Sequence, residues 1–281
     1  AAAYIPWESL IRKQMQALLE YSLTGSELQL QTTANTDQGV PYLARHLAES
    51  QRTDAHAKPR EDAMRRYVVP PEARTVLAMV DVQGGKNARF VVQVHAVGEH
   101  KEQWLVDRYA IIWSKRPGDV EGEFAPLDPA SHPEDWDTLT EQVLQATYRT
   151  ETEGVEIRVH AAIVDTGGED GVTDKAYAWA RRVRRAGLSQ RLYLSKGVGT
   201  KGMGEKGGRA GADWHVRETM VGGKKDAADV TLYLLEPNKF KDMVDTGLRR
   251  NVPGPGYYHF PEPRDPERNP DGWLPQSFFD E

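Results

Sequence analysis

The sequence contains no cysteine, which excludes disulfide bonds and thiolate zinc sites. It also has no run of roughly 18 apolar residues, so no transmembrane helix is expected. The first residues lack the basic and then apolar pattern of a secretory signal peptide. These absences are typical of a protein of the reducing cytoplasm. A length of 281 residues is enough for one large domain, or for one domain with an appendage.

The 42 acidic residues outnumber the 36 Lys and Arg, and the formal net charge of −6 argues against a nucleic-acid partner. The distribution is uneven, however. Between Arg181 and Lys225 there are twelve Lys or Arg and only three acids, and the segment 196–211 is rich in glycine. A flexible basic loop can follow a phosphate backbone, although a solvated loop without a ligand has the same composition.

The N-terminal part of the chain holds few apolar residues outside one amphipathic pattern. The spacing of these residues predicts a helix over 7–22. A turn-rich segment is predicted at 35–42 and a further helix at about 43–51. We therefore interpret 1–70 as a linker or helical segment and 71–281 as the folded domain.

Five apolar segments of the second part predict β-strands, and two other segments predict helices. The strands are expected at 75–81, 90–97, 104–113, 157–164 and 191–195, and the helices at 135–148 and 174–186. Short connections between the first three strands favour an antiparallel meander. The order β-β-β-α-β-α-β predicts an α/β fold, with a mixed five-stranded sheet and helices on its faces.

Two of the predicted strands end in an aspartate, Asp81 and Asp165, and a glycine-containing turn follows each. In the RNase H-like arrangement of this strand order, the two strands are neighbours, so their carboxylates would lie side by side. Two nearby carboxylates repel each other unless one is protonated or divalent cations neutralise them. Mg²⁺ or Mn²⁺ ions bound there would suit phosphodiester cleavage. Either aspartate taken alone is more typical of a turn or a helix cap.

Other common active-site patterns are absent from the sequence. There is no Walker motif, so we expect no ATP hydrolysis from this chain. Neither Gly-x-Ser-x-Gly nor His-Glu-x-x-His occurs. Of the eight histidines, His95 and His160 fall in predicted strands, where we expect a structural role. His259 follows a loop of Gly and Pro and is a further candidate for the site.

Several short motifs follow one another in the order that is typical of one protein family. They are Asn35-Thr36-Asp37-Gln38-Gly39-Val40-Pro41-Tyr42, Val80-Asp81-Val82-Gln83, Trp104-Leu105-Val106-Asp107, Val164-Asp165-Thr166-Gly167-Gly168, Lys196-Gly197, Lys241 and His259-Phe260-Pro261. Over about residues 25–281, this set resembles the C-terminal nuclease region of lambda-like phage terminase large subunits. Those proteins cut concatemeric DNA while the genome is packaged into the capsid.

The resemblance implies an RNase H-like fold and a metal-dependent DNA endonuclease. Asp81 and Asp165 would be the catalytic metal ligands, with two Mg²⁺ or Mn²⁺ ions as cofactors. Gln83, Gly167 and Gly168 would shape the site.

The resemblance also implies DNA contacts, partners and a location. Lys196, Lys201, Lys206 and Arg209 are candidates for contact with the DNA backbone. The partners would be double-stranded DNA, the small terminase subunit, the portal protein and an ATPase domain of the same full-length protein. The location would be the host cytoplasm.

The sequence departs from the family in two respects. The ATPase motor is missing, and so is the Asn-Glu-x-Leu-Asp setting of a third catalytic aspartate on a later helix. We expect that ligand to lie beyond residue 281, or another acid to replace it. Two other functions fit the residues: another RNase H-like nuclease such as a resolvase or transposase core, or an inactive module that binds DNA or docks to the portal.

Overall fold

The computed structural model of the protein describes residues 5–24, 27–39, 42, 64–168, 170–198, 216–222, 229–250 and 252–280. The chain divides into two compact units. The larger unit comprises Met64–Val97 and Trp104–Phe240, and the smaller unit comprises Ala1–Ala63, Gly98–Gln103 and Lys241–Glu281. No helix among the described residues has the length and apolar character needed to cross a membrane.

Most of the β-structure belongs to the larger unit. Its strands, within the described residues, are β1 (Val68–Val69), β2 (Ala73–Gln83), β3 (Arg89–Gly98), β4 (Gln103–Ile111), β5 (Trp113–Pro117), β6 (Phe124–Pro126), β7 (Thr147–Thr150), β8 (Glu156–Arg158), β9 (Ala161–Asp165), β10 (Leu192–Gly197), β11 (Val216–Val221) and β12 (Val230–Leu235). A short strand, β13 (Tyr258–His259), lies in the smaller unit.

The helices are fewer and more varied in type. The α-helices in the described residues are α1 (Trp7–Thr24), α2 (Leu28–Thr32), α3 (Asp137–Leu139), α4 (Val172–Arg185), α5 (Pro237–Leu248) and α6 (Ser277–Asp280). Two π-helical segments extend α2 and α3, at Thr33–Gln38 and Thr140–Leu144. A 3-10 turn at Pro133–Trp136 precedes α3.

The main sheet of the larger unit has the strand order β11-β12-β10-β9-β2-β3-β4. The four adjacent strands β12, β10, β9 and β2 run parallel to one another, whereas β11 pairs antiparallel with β12. The predicted α/β class is confirmed as a mixed α/β architecture. The sheet of this unit has seven strands and not five, because β12 and β11 extend it beyond β10.

One face of this sheet is buried under α4. The residues of α4 that point inwards recur with helical spacing at Val172, Ala176, Trp179 and Val183, and each is almost fully buried. The ring of Trp179 lies 5.6 Å from that of Trp136 at a tilt of 36°, and the Trp136 ring in turn lies 5.2 Å from that of Phe90. Three large aromatic rings therefore join α4, the segment before α3 and β3 into one core.

Two of the predicted elements differ from the structure. The helix predicted over 135–148 is a short succession of 3-10, α and π turns, and Tyr148 belongs to β7. The reason is tertiary, since the buried Tyr148 hydroxyl donates to Asp107, 3.1 Å away. The strand predicted over 157–164 is divided into β8 and β9, and β8 pairs with β7 and not within the main sheet.

Further differences concern shorter segments. The strand predicted over 104–113 ends at Ile111, and Trp113 begins β5. The turn predicted at 35–42 is wrong for 35–38, which are π-helical. The helix predicted at 43–51 lies outside the described residues. The N-terminal helix and the helix predicted over 174–186 are confirmed as α1 and α4, within two residues at each end.

Gly171, which immediately precedes α4, offers a test of this packing. Its φ is +94°, and a Cβ atom there would lie 2.8 Å from the Ala130 carbonyl oxygen. We expect Gly171→Ala to lower the free energy of unfolding by about 2–3 kcal/mol, from the left-handed backbone and the clash together. Gly187, at φ +76°, has open space around it. Gly187→Ala should therefore cost only about 1 kcal/mol. Urea denaturation of both variants checks this, and equal losses would contradict it.

In the smaller unit, most of the large apolar side chains of α1 face solvent. Ala17 is buried, whereas exposures of 43% or more are found for Trp7, Ile11, Met15, Leu18, Leu19 and Leu23. The same unit holds a carboxylate contact around Glu102, whose Oε1 lies 2.8 Å from His259 Nε2 and accepts from the Gly254 amide at 2.9 Å.

Candidate active site

Asp81 lies near the carboxyl end of β2, on the face of the sheet opposite the core. Along β2 the side chains alternate, so that Val76, Ala78, Val80 and Val82 are buried while Asp81 is exposed. This alternation follows from the sequence, because every second residue from Val76 to Val82 is Val or Ala. The carboxylate is therefore presented outwards by a rigid, central strand.

Asp165 lies beside Asp81 on the neighbouring strand. β2 and β9 are parallel, and their register pairs Leu77 with Ala161 and continues to Val80 with Val164. The next positions along the two strands are Asp81 and Asp165. Adjacent strands are about 4.8 Å apart, and residues at one level of a sheet point to the same face. The pairing thus places Asp81 and Asp165 at the same level of adjacent strands and on the same face of the sheet.

The turn after Asp165 is held to the next strand. The Thr166 amide and hydroxyl both donate to the Ser195 carbonyl, each at 2.9 Å. The Thr173 hydroxyl, in the first turn of α4, donates to the Thr166 carbonyl at 2.8 Å. Thr166 is fully buried. These bonds tie the end of β9 to β10 and α4, so the position of Asp165 is defined by three elements.

Each carboxylate accepts one hydrogen bond from a residue that sequence analysis had assigned to the site. The Gln83 side-chain amide donates to Asp81 Oδ2 at 2.9 Å, and the Gly167 amide donates to Asp165 Oδ1 at 3.1 Å. Gly168 follows with φ +114°, and a Cβ atom there would lie 4.0 Å from the Val82 carbonyl. Within the described residues, the second oxygen of each carboxylate has no hydrogen-bond partner.

This donor set fits a hard divalent cation. Mg²⁺ is usually bound by one or two carboxylates and completes its coordination with water and substrate phosphate oxygens. Asp81 and Asp165 offer one oxygen each, already oriented by Gln83 and Gly167. No group of three or more His, Cys, Asp or Glu suited to a metal ion occurs among the described residues. Asp81 and Asp165 would thus supply two carboxylate ligands, and water and phosphate oxygens would have to complete the coordination of such an ion.

The basic residues are only partly described. Lys196 is half-buried near the end of β10, and strand alternation puts it on the opposite face from Ser195. Lys201, Lys206 and Arg209 lie outside the described residues. Their contact with DNA stays a prediction.

The arginines of the basic stretch that belong to α4 are largely engaged in ion pairs. Arg181 binds Asp229 through two nitrogens at 2.7 and 2.8 Å, and Arg184 donates to the Asp229 carbonyl at 2.7 Å. Arg182 donates to Asp137 at 3.0 Å. The bonds from Arg181 are the main cause that lowers the pKa of Asp229. These arginines stabilise the fold, so the excess of positive charge counted in the sequence overstates the charge available to DNA.

The two remaining candidates, Lys241 and His259, belong to the smaller unit. Lys241 is exposed on α5. His259 is buried and contacts Glu102, as described above, and its ring lies edge-on to Tyr257 at 4.6 Å. A role for either residue in the site stays a prediction.

The structural role expected for His95 and His160 fits only one of them. His95 is buried, and burial lowers its pKa to about 4, so it is neutral near pH 7. His160 is exposed and follows β8, so the expectation that its side chain packs in the sheet is wrong.

Sequence analysis missed Ser195 and Thr166. Ser195 is level with Asp165 in the pairing of β9 with β10, and it supplies the carbonyl that holds the turn. The alternation of buried and exposed residues in β10 would have indicated this face, but only once the neighbour of β10 was known. The partner strand is a tertiary fact, so the sequence held no direct signal for it.

The comparison with known families agrees with the motifs read from the sequence. The family model described as the terminase large subunit gpA endonuclease domain matches residues 1–281. The chain belongs to this family. No curated protein and no solved structure is significantly similar to it.

The match confirms the resemblance to lambda-like terminase nucleases. The protein is an endonuclease domain of a terminase large subunit, and its role is that of a nuclease in viral genome packaging. Membership of the gpA endonuclease family also implies DNA and other packaging components as partners in a general sense. In this terminase domain, the position of Asp81 and Asp165 at the same level of two adjacent strands requires a chemical explanation.

Proposed function

We propose that this terminase domain cuts concatemeric DNA by metal-dependent hydrolysis, with Asp81 and Asp165 as the metal ligands. The observation that supports this most directly is the register of β2 and β9, in which the two aspartates occupy the same level of adjacent parallel strands. Two carboxylates in this position repel one another, and a divalent cation relieves the repulsion. When bound, such a cation supplies a Lewis acid that activates water and neutralises phosphate charge.

The residues of the chain have distinct tasks in this proposal. Asp81 and Asp165 hold Mg²⁺ or Mn²⁺, and a second ion would need further ligands from DNA phosphate, water or another acid. Gln83 and the Gly167 amide orient the carboxylates, as hydrogen bonds to ligands commonly do. Thr166 keeps the turn after Asp165 fixed to β10, so that the carboxylate does not move away when DNA binds.

The finer structural assignments are part of the same proposal. The sheet order around β2 and β9, with acids at the ends of both strands, supports an RNase H-like fold for the residues from about 71 onwards. The segment 1–70 would then join this domain to an ATPase motor, and this chain alone would not hydrolyse ATP. The small terminase subunit and the portal protein are the partners that we expect to direct the cut in the host cytoplasm.

Metal binding and metal-dependent cleavage test the proposal together. Plasmid DNA should be cut by the parent protein with Mn²⁺ or Mg²⁺ and left intact in excess EDTA. Calorimetry with Mn²⁺ alone should show that Asp81→Ala weakens binding about tenfold or more, because one of two carboxylate ligands is lost. Asp119→Asn, which removes an exposed acid of the β5–β6 loop, should bind like the parent.

Two results would overturn the proposal. One is cleavage that continues at the same rate in excess EDTA. The other is the absence of both Mn²⁺ binding and cleavage in the parent protein, which would instead favour an inactive module that binds DNA.

A further inference from the structure

On the sheet face that carries Asp81 and Asp165, some of the described side chains are exposed to solvent. The opposite face packs under α4, but on this face Ile163 is 43% exposed and Tyr193 is 38% exposed. The two residues are paired in the register of β9 with β10. They lie one level below Asp165 on the same face, so an apolar surface continues directly from the carboxylate pair.

Two tyrosine rings form the centre of this surface. Tyr193 and Tyr233 lie with ring centroids 5.5 Å apart and a tilt of 47°. In the sheet register, Tyr233 is level with Ser195 and so with Asp165. From strand and residue spacings, the Cα atom of Tyr193 is about 8 Å from that of Asp165, and that of Tyr233 is about 10 Å away. At these separations, the two rings would lie a few ångströms from a phosphate group that is held at the carboxylates.

The chemistry of the surface favours a flat, uncharged ligand. Among the described residues, the acids Asp81, Asp165 and Glu218 lie next to the rings, and the register pairs Glu218 with Tyr233. Carboxylates do not attract a phosphate group without a bound cation, whereas aromatic side chains stack on the faces of nucleobases. Bases within a duplex are stacked on one another and are not accessible to such rings. The matching ligand is an unpaired base.

We propose that Tyr193 and Tyr233 form a stacking platform for an unpaired base of the DNA strand whose phosphodiester lies at Asp81 and Asp165. The proposal rests on the proposed function, because it takes that DNA strand as the substrate. The platform would hold the strand next to the cut in a single-stranded form. It would favour substrates whose bases are already unpaired at that position over continuous duplex.

Binding of a short single strand tests the platform without any cleavage. A 12-nucleotide strand that contains 2-aminopurine is titrated with the full chain in EDTA, and both affinity and fluorescence are recorded. The parent should bind and quench the fluorescence through stacking. Tyr193→Leu and Tyr233→Leu keep apolar bulk but remove the ring, and each should weaken binding about tenfold and lose the quenching. Tyr193→Phe and Tyr233→Phe should retain both properties.

Matched controls separate stacking from unfolding. Trp113→Leu removes an aromatic ring that is 55% exposed on β5, and it should bind the single strand as the parent does. The far-ultraviolet circular dichroism of every variant should match that of the parent. If a leucine variant is unfolded, the phenylalanine variants decide, since weak binding by a folded Tyr193→Phe and Tyr233→Phe would contradict a role of the rings.

Other outcomes overturn the platform. Parent-like binding and quenching by both leucine variants would do so. The platform would also be contradicted if the parent protein sediments as a dimer and Tyr193→Leu sediments as a monomer. A second copy of the chain would then cover this face of the sheet. The proposed function would fail by a different result, namely DNA cleavage that does not need metal. Because the platform is measured by binding in EDTA, without cleavage, the two failures are distinguishable.

Discussion

Asp165→Asn is expected to reduce metal-dependent DNA cleavage by about a thousandfold or more. The substitution keeps the size of the side chain but removes the charge that faces a cation, and a ligated cation supplies several kcal/mol of stabilisation to the transition state. The Gly167 amide, which donates to Asp165 Oδ1, can donate equally to the side-chain oxygen of Asn, and the bonds from Thr166 to the Ser195 carbonyl do not involve the Asp165 side chain. The turn after β9 should therefore persist, and the loss should be chemical.

The double variant sharpens this prediction. If Asp81 and Asp165 bind the same ion, either single substitution already removes the site, and Asp81→Asn with Asp165→Asn together should cut no more slowly than either alone. Rates are measured on plasmid DNA with Mn²⁺ under single-turnover conditions. Asp119→Asn is the matched control and should retain the parent rate. Losses that multiply in the double variant would show that the two aspartates act independently.

The second large effect concerns stability and involves Asp135. Its side chain is fully buried, and Arg116 donates to both carboxylate oxygens, at 2.8 and 3.1 Å. The Asp128 amide donates at 2.7 Å, and the Ser114 hydroxyl also contacts Asp135. We expect Asp135→Asn to lower the free energy of unfolding by about 3–5 kcal/mol, because Arg116 keeps its charge without a counter-ion. Urea denaturation at pH 7 measures the loss.

The pH dependence of stability gives an independent check on Asp135. Burial raises the pKa of Asp135, but the bonds from Arg116, Ser114 and the Asp128 amide outweigh it, so the pKa lies below the ordinary value of 3.8. The folded state therefore binds this proton less readily than the unfolded state does. The stabilisation is present above pH 3.8 and is lost as the pH falls through the lowered pKa. Asp135→Asn should lack this part of the acid sensitivity.

An exposed ion pair provides the control for Asp135. Lys115 and Glu141 form a salt bridge in which both side chains are at least half exposed. Glu141→Gln should cost less than about 1 kcal/mol, because solvent screens such pairs. A similar loss for Glu141→Gln and Asp135→Asn would mean that burial does not set the strength of the Arg116 interaction.

Local patterns predicted the strongly periodic elements. The apolar alternation of β2 and the helical spacing of Val172, Ala176, Trp179 and Val183 both appear in the structure. The segment 135–148 has the composition of a helix, yet its end joins a small sheet with β8. Its helical propensity was too weak to oppose the burial of Tyr148 against Asp107. β11 and β12 were not predicted as parts of the sheet, because their membership depends on pairing with β10.

By itself, the sequence determined the absence of disulfides, the α/β class, the terminase nuclease family and the two strand-end aspartates. Each of these depends on residue type or on spacing along the chain. Tertiary structure alone decided that Asp81 and Asp165 are level on adjacent strands, because register is a property of two strands and not of one. It also decided that arginines of α4 bind Asp229 and Asp137, and that Tyr193 and Tyr233 lie on the same sheet face as Asp165. Contacts between residues distant in sequence have no local pattern, since the energy that selects them arises only when the strands and helices pack.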